Sequence, residues 1–86
     1  MDIAQHTLDR GAKYPYDAPD SWWEGDGDER VAPPAVDWAH AAARGVLADL
    51  NDRKGIKQGF YEIDEKIRVE IVSSLAEIIR RAAEDR

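Results

Sequence analysis

Asp37 and His40 come nearest to a reactive constellation in this chain, because a carboxylate and an imidazole at i, i+3 on a helix can form half of a di-metal carboxylate site when a second copy supplies the rest. The remaining ligands are missing. Stepping about 100° per residue places His40 at the edge of its helix's apolar stripe and Asp37 further out, and no Glu of the later helix projects from the centre of its own apolar face. A solvated or hydrogen-bonded His40 is the expectation, and His6 is a weaker ligand still.

The stretch Asp26-Gly-Asp-Glu-Arg30 has the opening of a calcium loop but lacks both the Gly after the third acid and the bidentate Glu at the twelfth position. Glu62, Asp64 and Glu65 bunch at a helix start, where capping and the helix dipole already account for acids. The chain has no Cys. Ser21, Ser73 and Ser74 stand outside any Gly-x-Ser-x-Gly turn, and no Gly-rich phosphate cradle occurs. These absences predict a non-enzymatic protein with no cofactor and no metal site.

The elements that position the remaining polar and aromatic groups follow from periodicity. Pro33-Pro34 announce a helix over about 34–52, in which Val36, Ala39, Ala43, Val46, Leu47 and Leu50 fall in one stripe about 100° wide. Trp38 lies on the other side with Ala41, Ala42, Gly45 and Ala48. That row is explained either by plain helix propensity or by a second packing contact. A second helix spans 65–84, with Asp64 as its N-cap candidate and Glu65 in its first turn. Its stripe of Ile67, Ile71, Val72, Leu75, Ile78, Ile79 and Ala82 is broader than one facing helix covers. Arg68 sits within that stripe and reads as a structural clamp requiring Asp64, Asp49 or Asp52 as partner. The connection is apolar enough to form a short helical turn near 56–62.

The fold class expected is all-α: an antiparallel helical hairpin, residues 33–86, preceded by an irregular N-terminal arm, residues 1–32, and completed by dimerisation. Pro15, Pro19, Gly25 and Gly27 break the arm, with at most a helical turn or short strand over residues 3–10. Charge divides the same way. Of the formal −6, residues 1–35 hold eight acids and three bases (−5), and residues 36–86 hold ten acids and nine bases (−1). The arm also interleaves Tyr14, Tyr16, Trp22 and Trp23 with its acids.

A net acidic chain lacking a basic stripe disfavours direct nucleic-acid binding. No run approaches the ~18 apolar residues of a membrane span, and no apolar leader opens the chain, so a soluble cytoplasmic protein is expected. The segments Asp52-Arg-Lys-Gly-Ile-Lys57, Ile63-Asp-Glu-Lys-Ile-Arg-Val-Glu-Ile-Val72 and Leu75-Ala-Glu-Ile-Ile-Arg80 resemble part of small uncharacterised proteins of proteobacterial genomes and their prophages. The resemblance implies a bacterial or phage origin and a helical fold, and carries no activity.

The function expected is a protein–protein interaction module. Trp22, Trp23 and Trp38 would be its anchors, and Asp17, Asp20, Asp26 and Asp28 would steer it to a basic partner surface. The alternatives are an anti-CRISPR-like inhibitor of a host defence nuclease acting through the acidic surface, by analogy with small acidic phage proteins, and, last, a metal-binding helical bundle.

Overall fold

A computed structural model describes residues 3–25, 31–53 and 63–84. The protein is all-α, with helices α1 (Ile3–Lys13), α2 (Asp20–Trp23), α3 (Trp38–Asn51) and α4 (Glu65–Glu84). Among the described residues no helix is long and apolar enough to cross a membrane. The expected helical turn near 56–62 falls outside the described residues.

α4 occupies the span its periodicity predicts. α3 starts later than expected, at Trp38 rather than at the prolines, because Asp37 is the stronger start signal. Asp37 has extended backbone, and its carboxylate accepts the His40 amide N–H at 2.9 Å. Pro33 and Pro34 remain in the irregular segment before it, and Val36 lies outside the helix, 80% exposed. At the other end of the sequence-expected pair, Asp64 stands just before α4 and its carbonyl accepts the Arg68 amide N–H at 2.9 Å.

The irregular arm is the expectation that fails. Residues 3–13 form α1, which lies along α3, and residues 20–23 form α2. α1 packs on the small-residue row of α3: a Cβ placed on Gly11 would meet the backbone of Gly45, with Gly45 Cα 2.6 Å away, so the two helices touch backbone to backbone. Gly45 and Ala48 are buried as a result. The row is a real second contact, and the partner is the chain's own N-terminal segment.

α3 also packs on α4. Arg80, late in α4, donates to Asp37 at the start of α3 at 2.6 Å, which ties the end of one helix to the start of the other. Their shared core is built from Ala39, Ala43 and Leu47 of α3 and Val72 and Ala76 of α4. Most of these side chains are small, and the largest one in the cluster, Tyr16, comes from the segment between α1 and α2. Tyr14, Ile63, Ile71, Leu75 and Ile79 pack around it. The breadth of the α4 stripe is thus met partly by the N-terminal segment, which fills the volume that alanines leave.

Candidate functional site

Asp17 and Asp20, and the segment that carries Tyr16, are held by two arginines. Arg44 projects from α3 on the arc between the apolar stripe and the small-residue row. Its Nε donates to Asp17 Oδ1 at 2.7 Å and its Nη1 to the Pro33 carbonyl at 2.7 Å. Arg44 is buried, its side chain 6% exposed, and the Asp17 side chain is mostly covered at 12%. Arg68 in α4 donates to the carbonyls of Tyr16 (3.1 Å), Ala18 (3.2 Å) and Ile63 (2.7 Å) and to Asp20 Oδ1 (2.7 Å). Its planar fork suits several acceptors at once, which a Lys ammonium would not.

Arg68 is therefore a clamp, but with partners other than those expected. Asp49 pairs with Arg53 at 2.9 Å and Asp52 with Arg10 of α1, and Arg68 binds the 16–20 segment instead. Glu65 adds a third tie, its Oε1 accepting the Asp20 amide N–H at 2.7 Å. Burial pushes the Tyr16 hydroxyl pKa up, and the nearby Arg68 cation partly opposes the shift.

Trp22 and Trp23 meet edge-on, with ring centroids 4.7 Å apart, and Trp23 meets Tyr14 edge-on at 5.5 Å. Tyr14 in turn stacks on Tyr16 at 6.0 Å. Trp22 Nε1 donates to the Val31 carbonyl at 3.0 Å. Both tryptophans are half-buried, joined through the two tyrosines to the core. Asp17 and Asp20 are held in their arginine pairs, while Asp26 and Asp28 lie outside the described residues.

Asp37 and His40 do come together. Asp37 Oδ1 contacts His40 Nδ1 at 2.8 Å, while Oδ2 accepts from Arg80 at 2.6 Å. The His40 amide, then the imidazole contact and Arg80, hold the Asp37 carboxyl well below the usual carboxylate range. Arg80 also donates to Glu77 at 2.6 Å, and Glu77 is lowered first by its bond from Arg81. Asp37 thus serves as helix cap and inter-helix tie. Among the described residues no group of three potential His, Cys, Asp or Glu metal ligands gathers.

Trp38 is placed differently from the other two tryptophans. It is 57% exposed, and Val31 and Val36 nearby are 85% and 80% exposed. One turn further along the same face of α3, Ala41 lines an open groove of about 360 Å³. Leu8 and Ala12 of α1, the 32–35 segment and Arg44 complete its lining. This groove and the Arg44 clamp were not foreseen. The available signal was a charge, Arg44, flanked by Ala and Gly on a helix with two apolar sides, the same reasoning that singled out Arg68.

The fold and this face define a small all-α protein with a built apolar recess. Comparison with models of known protein families, with curated proteins and with solved structures finds no match.

Proposed function

We propose that the protein is a non-enzymatic protein–protein interaction module, and that its docking face is the apolar recess bounded by α1, the 31–36 segment and the first turns of α3. The observation that carries this reading is the exposure of Trp38, Val31 and Val36 on the two segments, 31–36 and the start of α3, that line an open groove with Leu8 and Ala12. A large aromatic and two aliphatic side chains left in solvent beside an apolar recess match the anchor-and-pocket anatomy of an interface.

The anchors differ from those the composition favours. Trp22 and Trp23 are engaged with Tyr14 and Val31, and Asp17 and Asp20 with Arg44 and Arg68, so Trp38 is the tryptophan most available to a partner. The same pairs remove support from a nuclease inhibitor acting through an acidic arm, since two of its four named carboxylates already face arginines of their own chain.

A photo-crosslinking residue at Val36, compared with one at the exposed α4 residue Ser73, tests the reading in extracts of the native host. Crosslinked species specific to position 36, reduced by Trp38→Ala, are expected. Equal labelling at both positions, or labelling indifferent to Trp38→Ala, sinks it.

A further inference from the structure

We infer that this face is occupied by a second copy of the chain, each protomer seating its Trp38 in the groove of the other. The inference rests on the docking face proposed above and names its partner.

Knob and hole lie side by side. Trp38 precedes the groove-lining Ala41 by one helical turn on the same side of α3. A surface carrying both a projecting side chain and a recess is self-complementary under a two-fold axis running between them, and two-fold dimers are the commonest closed assembly. Size agrees: a groove of about 360 Å³ is at the small end of binding pockets, suited to one aromatic side chain rather than a run of peptide. Apart from Arg44, its lining side chains are apolar.

Charge does not oppose pairing through this face. At −6, two copies repel on average, yet residues 31–44 contain a single acid, Asp37, and a single base, Arg44, and α1 adds Asp9, Arg10 and Lys13. Asp37 is already tied to Arg80 and Arg44 to Asp17. The other uncovered apolar strip, Ile67 and Ile78 on α4 with half-buried Ile71 between them, is flanked by Glu70 and Glu77. Glu77 is already bonded by Arg80 and Arg81, so α4 is the competing surface, and the Ile78→Glu variant tests it.

Sedimentation equilibrium on the full chain from about 10 µM to about 1 mM tests the inference, a range that brackets small interfaces. A monomer–dimer equilibrium is expected, weakened at least tenfold by Trp38→Ala and independently by Ala12→Leu, which narrows the groove from a solvent-exposed position. Circular dichroism establishes that both variants keep the wild-type helix content. A monomer throughout overturns the inference, and so does a dimer that survives Trp38→Ala but is lost on Ile78→Glu, which assigns association to α4. Either failure leaves the docking face itself to be judged by crosslinking from position 36, where a product heavier or lighter than the homodimer marks a different partner.

Discussion

Arg44 of α3 and Arg68 of α4 grip the same short segment, residues 16–20, from two different helices: Arg44 through the Asp17 carboxylate, Arg68 through the Tyr16 and Ala18 carbonyls and Asp20. Between them Tyr16 is pressed into the core as its largest buried side chain. Removing either arginine leaves buried acceptors without their donors, which costs far more than the net worth of the bonds themselves.

Arg44→Met should therefore destabilise the protein by about 3 kcal/mol, as expected when one partner of a buried pair is removed. Combining it with Asp17→Leu should recover a large part of that loss, because no unpaired carboxylate then remains in the interior. Urea midpoints of the two single variants and the double variant measure the coupling. Additive losses would show that Asp17 and Arg44 do not act as a pair.

Arg68→Lys is not conservative at this position. An ammonium cannot reach four acceptors arranged around a planar fork, and a loss of about 2 kcal/mol is expected. Hydrogen exchange should locate the damage at the amides of residues 16–24, with the middle of α4 protected as before. Unchanged protection over that segment would contradict the clamp.

The two glycines of the α1–α3 contact should respond unequally. A Cβ on Gly11 runs into backbone, with Gly45 Cα at 2.6 Å and Arg44 C at 2.7 Å, so the helices must separate and Gly11→Ala should cost about 3 kcal/mol. A Cβ on Gly45 meets the Thr7 carbonyl oxygen at 3.3 Å and Leu8 at 3.6 Å, and alanine's better helix propensity offsets that crowding. Gly45→Ala should stay within about 1 kcal/mol of wild type. Thermal unfolding of the pair reads the contrast directly.

Acid should weaken the tie between α3 and α4. The folded Asp37 carboxyl lies below its ordinary value of 3.8, so its contribution is complete above that value and declines as pH falls towards the folded one. Asp37→Asn keeps a capping side chain but loses the charge facing Arg80. The stability gap between wild type and this variant should be constant near neutral pH and narrow steadily below about 3.8. Paired urea titrations at several pH values test this; a gap independent of pH would show that the Asp37 charge contributes nothing to the folded state.

At about 1 µM, below the dimerisation range, Trp38→Ala should change stability by less than about 0.5 kcal/mol, the usual range for a surface substitution. The contrast with Trp22 and Trp23, whose rings contact one another and the Val31 carbonyl or Tyr14, is measurable in the same melts. A large loss at Trp38 would place it in the fold rather than at a docking face.

The amino-acid sequence by itself determined the helical class, the span of α4, the apolar stripe of Ala39, Ala43 and Leu47, and the presence of a clamp at Arg68. Each of these rests on spacing within one helix, where neighbours three and four residues apart share a face whatever the rest of the chain does. Only the tertiary structure decided which acid meets which arginine, why α3 begins at Asp37, and that α1 covers Gly45 while Trp38 is left in solvent beside a groove. The pairings join residues far apart in the chain, chosen by the volume alanines leave for Tyr16 and by how closely Gly11 and Gly45 can approach, and no periodicity encodes either quantity.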